Sequence, residues 1–244
     1  MQELPVPPQL AGFVRKLRLA ADSSLDEQTY RRLPDGEAEL VVRFGGARTA
    51  ASVIGTRTTV LEKPSSERAR TLLVRFHAAG AYPFFARPMS ELTDRVVPLD
   101  ELWQSETHAA LAAATTAHGV AQVATGALVR TLRDEHAYEP ASALRIRRAV
   151  RVVLASPALP RVAALASQVG LSERQLRRGF ADVVGMTPKR FLRVVRFRRA
   201  LQVARRARSA DWAAIAESEG YFDQAHLIAE FRELSGTTPG MLLG

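Results

Sequence analysis

A doubled pattern in the C-terminal part of the chain restricts the possible folds more than any other feature of the sequence. Residues 162–191, VAALASQVGLSERQLRRGFADVVGMTPKRF, recur in degraded form at 212–242, WAAIAESEGYFDQAHLIAEFRELSGTTPGML. The matching pairs are Ala163/Ala213, Leu165/Ile215, Ala166/Ala216 and Gly170/Gly220 at an offset of 50, then Leu176/Leu227, Phe180/Phe231, Gly185/Gly236, Thr187/Thr238 and Pro188/Pro239 at an offset of 51. One insertion near Phe222 accounts for the change of offset. The fold must therefore contain one structural unit twice.

Each unit predicts two short helices joined by a glycine turn. An alanine-rich helix permits the close approach of a neighbour, Gly170 or Gly220 supplies a left-handed turn, and an apolar residue after the glycine seals the corner. The second helix then turns Leu–x3–Phe inwards. This is the layout of a helix-turn-helix, whose second helix enters the major groove of DNA.

Everything from residue 143 onwards reads as helix, and a long helix joins the two units. ALRIRRAVRVVLAS ends before Pro157, and the arginine-rich helix ends at Gly185. TPKRFLRVVRFRRALQVARRA then predicts a helix with Thr187 as its N-cap and Pro188 at its first position. We expect this helix, which extends to about Arg206, to set the spacing of the two units.

Three arginines share the outward face of the first unit's second helix. At about 100° per residue, Arg174, Arg177 and Arg178 fall on one side and Leu176 and Phe180 on the other. A solvated charged face, or a helical bundle that happens to be basic, is the alternative interpretation. Because the planar guanidinium fork can hold guanine O6 and N7 together, the trio favours a role in reading DNA bases.

The distribution of charge divides the chain in two. Residues 143–244 hold 18 Lys and Arg against 8 Asp and Glu, whereas residues 1–142 hold 16 against 17. The aperiodic stretch HAYEPAS, 136–142, marks the boundary between them. A basic domain next to a nearly neutral one suggests a polyanionic partner for the first and a different task for the second. Acidic lipid is also a polyanion, so charge alone does not decide the partner.

Several classes of function are excluded or disfavoured by what the sequence lacks. The absence of cysteine excludes disulfides, thiolate metal sites and cysteine nucleophiles. The five histidines, at 77, 108, 118, 136 and 226, form no i, i+4 pair. The N-terminal MQELPVPPQLAGF lacks the pattern of a signal peptide, and no apolar run is long enough to span a bilayer. We therefore expect a cytoplasmic protein that is not an enzyme, with no metal, cofactor or membrane partner.

Residues 1–142 predict a small antiparallel β domain with flanking helices. Residues 1–36 are Pro-rich and loosely patterned, whereas ELVVRF, ASVIG, TTVLE and RTLLVRF within 37–77 read as strands. Tyr82, Phe84 and Phe85 are expected in the core. Two helices follow over about 100–135, broken at Gly119, and either form a dimerisation surface or pack on their own sheet. The fold class is thus α+β: this domain, then an all-α domain of two helix-turn-helix units joined by a long helix.

Residues 143–244 resemble the AraC/XylS family of bacterial transcription regulators. The pieces LASQVGLSERQLRRGF, GMTPKRFL, IAESEGYFDQAHL, EFRELSG and GTTP stand where the signature of that family has them. The resemblance implies that Arg174, Arg177 and Arg178 reach DNA bases. In the second unit the corresponding positions are Gln224, Ala225, Ile228 and Ala229. The predicted DNA-binding set is completed by Gln224, His226, Lys189 and Arg190.

The second unit departs from the family pattern. Position 229, often arginine in relatives, is alanine, and the chain ends in MLLG instead of an aromatic residue followed by arginine. We expect this unit to read DNA weakly, through Gln224, or mainly to hold the backbone. Asp223 is expected as a helix N-cap, and His226 as a packing or phosphate contact.

The N-terminal half resembles, less specifically, the sensor domains found before such DNA-binding domains. Some of those bind a small effector inside the β-fold, and Arg43, Arg75 and His77 could face such a cavity. The alternative is that both arginines are solvated or salt-bridged. The function predicted is a sequence-specific DNA-binding regulator, with an effector, a second copy of the chain and, for an activator, RNA polymerase as further partners. An architectural or partner-binding DNA-associated protein without an effector is the alternative function.

Overall fold

The computed structural model describes residues 1–20, 30–46, 48–63, 69–133, 142–207 and 211–243. Its strands are β1 (Gln2–Leu4), β2 (Val14–Ala20), β3 (Tyr30–Arg32), β4 (Glu39–Phe44), β5 (Ala50–Ile54), β6 (Leu61–Lys63), β7 (Arg70–Phe76) and β8 (Val96–Pro98). Its α-helices are α1 (Ser105–Ala113), α2 (Ala117–Arg133), α3 (Ala143–Ala155), α4 (Val162–Gln168), α5 (Glu173–Val184), α6 (Pro188–Arg206), α7 (Trp212–Ser218), α8 (Gln224–Ser235) and α9 (Pro239–Leu243). Short 3-10 helices at 8–10, 82–84, 89–91 and 99–101 connect the strands.

The strands form an antiparallel sheet in the order β1-β2-β7-β4-β5-β8, beside a two-stranded ladder of β3 and β6. Strand β4 pairs with β7 from Glu39–Arg75 to Phe44–Arg70 and with β5 on its other edge. Leu72, Val74 and Phe76 alternate with half-buried residues along β7 because successive side chains point to opposite faces. The predicted antiparallel β region is confirmed, and so is the α+β fold class.

The sequence interpretation missed the strands of the first 36 residues. Strand β2 lies between β1 and β7 in the sheet, although Pro-rich flanks and four polar or small residues conceal its alternation. Only Val14 and Leu17 of this strand are fully buried. A strand with one buried side chain every three residues, interrupted by a bulge after Val14, does not show the period of two that reveals β4 and β7.

Helices α1 and α2 correct one prediction and clarify another. The break between them falls at residues 114–116, and Gly119 lies inside α2, where the side chain of Thr116 accepts a hydrogen bond from its N–H. Helix α2 buries Val120, Ala124 and Leu128 against the sheet side of its own domain. Packing on the sheet is therefore realised in this structure. Dimerisation through the outer faces of these helices stays a prediction.

The expected core aromatics are confirmed. Tyr82, Phe84 and Phe85 are buried, and Phe84 and Phe85 contact the ring of Phe76 with centroid separations of 5.4 and 5.8 Å. The indole N–H of Trp103 donates to the carbonyl of Phe84 at 2.7 Å. This cluster anchors the segment after β7 to the sheet and supports the surface on which the C-terminal helices rest.

The C-terminal region is helical from α3 to α9, with most predicted boundaries in place. Thr187 caps α6 by accepting a hydrogen bond from the N–H of Arg190, and Pro188 is the first residue of the helix. Gly185 ends α5 with φ +88°, the left-handed conformation that favours glycine. The predicted domain boundary at 136–142 lies outside the described residues, apart from Ser142.

The two halves of the molecule are joined by direct hydrogen bonds. Thr93 and Thr56 donate their hydroxyls to the carbonyls of Gly185 and Val184, at 2.5 and 2.8 Å. Arg31 donates to the carbonyl of Ser235 at 2.8 Å. These bonds attach the C-terminal ends of both α5 and α8 to the β-rich half, so the β-rich half contacts both units.

Candidate nucleic-acid interface

The first unit comprises α3, α4 and α5, with a tight turn before α5. Gly170 has φ +67°, and the N–H of Leu171 reaches back to the carbonyl of Ala166 at 3.0 Å. Ser172 then caps α5 in a reciprocal capping box with Gln175. The Ser–x–x–Gln spacing in the sequence therefore fixes where α5 begins and how it leaves the turn.

The inner face of α5 packs against α3 at very short range. Leu176, Phe180 and Val183 are fully buried, as the sequence predicts. A Cβ atom on Gly179 would lie 2.5 Å from Cδ1 of Ile146, so a larger residue at this position would force the side chain of Ile146 to move. The rigid packing of one face determines which residues the other face presents to solvent.

The outward face of α5 carries the predicted arginine trio. The side chains of Arg177 and Arg178 are 66% and 87% exposed, and their ion pairs with Glu173 and Asp182, at 3.2 and 3.8 Å, run along the same helix. Arg174 is exposed and forms no hydrogen bond or ion pair with the residues that the structure describes. Exposed pairs of this kind are worth about 0–1 kcal/mol, so all three guanidiniums can be given to another partner at little cost.

The second unit, α6, α7 and α8, repeats the turn of the first. Gly220 has φ +75°, and the N–H of Tyr221 donates to the carbonyl of Ala216 at 2.8 Å. Asp223 caps α8 by accepting from the N–H of His226 at 2.7 Å, which confirms the predicted N-cap. The structure thus has the two helix-turn-helix units that the repeat predicts.

The repeat includes one more helix than the sequence alignment found. Arg145 of α3 donates to the carbonyl of Gly170 at 3.1 Å, and Arg196 of α6 donates to that of Gly220 at 3.3 Å. The two arginines are 51 residues apart, the same offset as Phe180 and Phe231. That shared offset is the signal by which sequence reasoning could have found α3 as the counterpart of α6.

The outward face of α8 is uncharged where α5 is basic. At the offset of 51, Arg174, Arg177 and Arg178 correspond to Ala225, Ile228 and Ala229. Ala225 and Ala229 are exposed, Ile228 is half-buried, and Gln224 is exposed at the first position of the helix. The two faces therefore present different functional groups: α5 presents guanidinium groups, and α8 presents methyl groups and one amide.

Lys189, Arg190 and His226 are not brought together with the arginine trio in any hydrogen-bonded cluster. Lys189 is exposed. Arg190 is held by the carboxylate of Glu233 and by the carbonyl of Thr58, which its guanidinium reaches at 2.6 Å. The imidazole of His226 packs against Tyr221 and accepts a hydrogen bond from a backbone N–H at 3.3 Å. Of these three residues, Lys189 is the one whose side chain forms no hydrogen bond or ion pair with a described residue.

A buried carboxylate that the sequence interpretation missed joins α6 to α8. Glu230 is 2% exposed and accepts hydrogen bonds from Arg193 at 2.8 Å and from Arg196 at 2.6 Å. Burial raises the pKa of Glu230, but the hydrogen bonds from Arg196 and Arg193 outweigh it and hold the pKa below its usual value. Glu233 is exposed and accepts hydrogen bonds from Arg193 and Arg190. These hydrogen bonds lower the pKa of Glu233 to about 2.

A cavity of about 750 Å³ lies between the two halves of the molecule. Its wall from the β-rich half includes Arg15, His77 and the carboxylates of Asp35 and Glu37, and its wall from the helices includes Arg151 and Arg198. Burial lowers the pKa of Arg198, and neither Arg151 nor Arg198 forms a hydrogen bond or a direct ion pair with any described residue. Leu154, half of whose surface is exposed, adds an apolar edge to this basic wall.

Arg43, Arg75 and His77, which the sequence suggests could face a cavity inside the sheet, have different surroundings in the structure. Arg75 forms ion pairs with Glu39, Asp35 and Glu37, the closest at 3.4 Å, and Arg43 is exposed. Both arginines therefore follow the alternative, structural interpretation. His77 lies just after β7 and lines the cavity between the halves, and burial lowers its pKa.

Two kinds of arrangement are absent from the described part of the chain. No group of three or more His, Asp or Glu side chains within it is arranged to hold a metal. None of its helices combines the length and the apolar character needed to cross a membrane.

Comparison with known families assigns the C-terminal half. Residues 165–243 match a family described as a helix-turn-helix domain, and residues 2–98 match one described as a domain of unknown function (DUF6597). The C-terminal part of the chain therefore carries a helix-turn-helix domain. This agrees with the two units that the repeat predicts and that the structure contains. None of the curated proteins matches this chain significantly.

Several solved structures are similar to this chain. A transcriptional regulator with an AraC-type domain from Chromobacterium violaceum is 24% identical, covers 42% of this chain and 91% of its own, and has a TM-score of 0.39. ToxT from Vibrio cholerae is 8% identical, covers 94% and 98%, and has a TM-score of 0.48. A DNA-binding transcriptional dual regulator from Escherichia coli K-12 is 23% identical, covers 45% and 95%, and has a TM-score of 0.34. At these TM-scores the likenesses are loose and assign a role to no residue of this chain.

Proposed function

We propose that the chain binds double-stranded DNA sequence-specifically, with α5 in the major groove and Arg174, Arg177 and Arg178 at the base edges. The observation that carries this proposal is an exposed trio of guanidiniums on a helix whose other face is locked into the core. Arginine forks bind guanine O6 and N7 in pairs of hydrogen bonds, each good pair being worth about 1–3 kcal/mol of discrimination. Among the described residues, the only ion pairs of the trio are two weak ones with residues of α5 itself.

The second unit adds a smaller contribution through Gln224, with His226 orienting the turn before α8. Lys189 supplies a phosphate contact beside it, whereas Arg190 positions α6 through Glu233 and Thr58. Helix α6 has 19 residues, which at ~1.5 Å each span roughly 28 Å. This is near the ~34 Å between successive major-groove segments on one face of DNA. One monomer therefore occupies two neighbouring segments.

Selection from a pool of random duplexes tests the proposal. The full chain is incubated with the pool at two salt concentrations, bound duplexes are sequenced, and the affinity of the best sequence is compared with that of shuffled DNA. A specific regulator keeps its preference as salt rises, whereas binding that depends only on phosphates falls in parallel for all sequences. A parallel fall would favour the architectural alternative.

Footprinting of the best duplex should show two protected segments, and protection of one segment by a monomer would contradict the assigned spacing.

We propose in addition that the β-rich half controls DNA binding through a small molecule with an anionic group. The cavity between the halves supports this, since its volume is that of a ligand site and its helical wall carries Arg151 and Arg198, neither of which forms a direct ion pair with a described residue. Asp35 and Glu37 also line the cavity and attract Arg198, so an anionic ligand competes with these two carboxylates. A ligand in that place contacts both α3 and α6, one helix from each unit. Its binding therefore favours one relative placement of the units over another.

A ligand screen on the full chain tests this second proposal. Small carboxylates and phosphates are tested for a rise in melting temperature, which follows from binding to the folded state alone. Arg198→Ala should abolish the rise, while Arg43→Ala, an exposed arginine away from the cavity, should preserve it. A rise that is equal in both variants would place the ligand elsewhere.

Dimerisation and contact with RNA polymerase also stay proposals, for which sedimentation and transcription with purified polymerase are the measurements.

A further inference from the structure

The most exposed large apolar side chain in the described part of the protein lies at the start of the second recognition helix. Phe222 is 92% exposed, more than any other large apolar residue described. It is the residue that the second unit has in excess of the first, since Leu171 is followed directly by the N-cap Ser172, whereas Tyr221 and the N-cap Asp223 are separated by Phe222. An exposed aromatic ring costs solubility, so its place beside a recognition helix requires an explanation.

The backbone of Phe222 is fixed, although its ring is free. Its N–H donates to Nδ1 of His226 at 3.3 Å, and the His226 ring meets Tyr221 edge to face at 5.4 Å. Tyr221 is in turn buried beneath the guanidinium of Arg196, 4.3 Å from the ring centre. This stack holds the position of Phe222 at the tip of α8 next to Gln224.

The positions that carry arginines in α5 carry only methyl-bearing side chains in α8. Ala225, Ile228 and Ala229 replace the three guanidiniums, and Phe222 extends the same apolar surface beyond the N-terminus of the helix. In the major groove, alanine and phenylalanine contact the C5 methyl group of thymine, and a glutamine amide pairs with N6 and N7 of adenine. None of these side chains can form the forked contact with guanine that arginine makes.

We propose that the second unit reads thymine methyl groups, with Phe222 as its main specificity-determining residue and Gln224 selecting an adjacent adenine. The inference rests on the proposed DNA-binding function and adds to it a chemical description of the target. The binding site then consists of a guanine-containing segment under α5 and a segment of A·T pairs under α8. The apolar face continues the proposed DNA interface by the internal repeat, which is why DNA and not a second copy of the chain is the expected occupant.

Replacement of thymine by uracil tests the proposal, because it removes the C5 methyl group and leaves base pairing intact. The best duplex from selection is synthesised with uracil at each thymine in turn, and the affinity of the full chain is measured by titration. The segment under α5 is identified as the one whose base preference changes in Arg177→Ala. In the other segment, uracil at one or two positions should weaken binding about fourfold, as expected for the loss of one buried methyl group.

Variants then assign the effect to the ring. Phe222→Ala should bind the thymine and uracil duplexes equally, at the affinity that the wild-type chain has for the uracil duplex. Met241→Ala, which removes another exposed apolar side chain from α9, should keep the fourfold difference. Circular dichroism confirms that both variants fold, and Phe222→Leu should keep part of the difference.

The outcomes separate the two levels of inference. Equal binding of thymine and uracil duplexes by the wild-type chain overturns the proposal, and so does a fourfold difference that persists in Phe222→Ala. If Phe222→Ala instead changes self-association in sedimentation while methyl groups have no effect, the apolar face binds a second copy of the chain and the proposal is wrong. Absence of any preferred sequence in the selection would overturn the proposed function itself.

Discussion

The two helix-turn-helix units share one backbone plan but place their charges on opposite sides of the second helix. In the first unit, arginines lie outside and Gly179 lies inside, where it lets α3 approach α5. In the second unit, the residue that corresponds to Gly179 is Glu230, which lies inside with Arg193 and Arg196. The outward face of α8 carries alanine and isoleucine where that of α5 carries arginine.

This difference shows that the net charge of the sequence does not tell which positive charges are available to an external partner. The helical half has ten more basic than acidic residues in its sequence, but its basic residues are not equally available. Arg190, Arg193 and Arg196 are held within the protein by Glu230 and Glu233, and these two carboxylates balance two of the three positive charges. The arginines of α5 have no comparable partners. We infer that affinity for phosphates and guanine is concentrated in the first unit, while the second unit is held rigidly by its internal ion pairs.

The largest expected effect is the loss of the buried carboxylate of the second unit. Glu230→Ala should lower the free energy of unfolding by about 3 kcal/mol, because it leaves Arg193 and Arg196 half-buried without their shared partner. Urea denaturation of the full chain measures this. Glu233→Ala is the matched control, and because that carboxylate is exposed its loss should cost less than about 1 kcal/mol.

The pH dependence of stability gives an independent test of the same network. Both carboxyls have a pKa in the folded protein below the ordinary value of 4.5, with that of Glu233 at about 2. Their contribution to stability is therefore complete above about pH 4.5 and is lost as the pH falls towards 2. Glu230→Ala should remove the part of the acid branch that Glu230 contributes and leave the part that Glu233 contributes. An unchanged acid branch in this variant would mean that the ion pairs of Glu230 contribute nothing.

The next comparison uses the equivalent glycines that end the two recognition helices. Gly185 and Gly236 both have positive φ, but a Cβ on Gly185 would lie 2.6 Å from the hydroxyl of Thr93 and 3.0 Å from the carbonyl of Met89, whereas one on Gly236 would meet only Val60 at 3.4 Å. Gly185→Ala should cost about 3 kcal/mol, from backbone strain and overpacking together, and Gly236→Ala about 1 kcal/mol from strain alone. Equal losses in thermal or urea unfolding would show that the β-rich half does not press on the first unit.

The sequence predicted the second unit's helices but not its interior. The turn glycines, the caps Thr187 and Asp223 and the inward Leu and Phe positions follow from local backbone chemistry, so they are readable from spacing. The contact of Glu230 with Arg193 and Arg196 depends on how α6 crosses α8, which no local pattern encodes. An acidic residue at an inward position of a basic helix pair was the available signal.

The β-rich half was harder to predict for the same reason. Strands β4 and β7 are recognisable because they are continuous and flanked by others on both edges. Strand β2 and the short β1, β3 and β8 depend on partners far away in the sequence, such as the pairing of Leu17 with Val74. The inserted Phe222 was visible as a gap in the repeat, but only its exposure marks it as a candidate site.

A smaller effect is expected at the centre of the arginine trio. Arg177→Ala should weaken binding to the best duplex by about 1–3 kcal/mol and relax the preference at one base position. Arg177→Lys keeps the charge but loses the fork, so it should restore affinity for shuffled DNA while leaving the base preference relaxed. Titration of single-base variants of the duplex separates the two. If Arg177→Lys also kept the wild-type preference, Arg177 would be a phosphate contact.

The smallest effect distinguishes two neighbours at the start of α6. Lys189 is exposed, whereas Arg190 is held by Glu233 and by the carbonyl of Thr58. Lys189→Ala should weaken DNA binding by roughly 0.5 kcal/mol for every sequence alike and reduce the slope of log affinity against log salt by about one. Arg190→Ala should leave that slope unchanged and lower the free energy of unfolding by about 1–2 kcal/mol, through the lost hydrogen bonds. Since both variants remove one positive charge from adjacent residues, net charge cannot account for a difference between them. If Arg190→Ala reduced the salt slope as much as Lys189→Ala, its guanidinium would leave Glu233 to bind phosphate, and the second unit would contribute more positive charge to the interface than its folded contacts indicate.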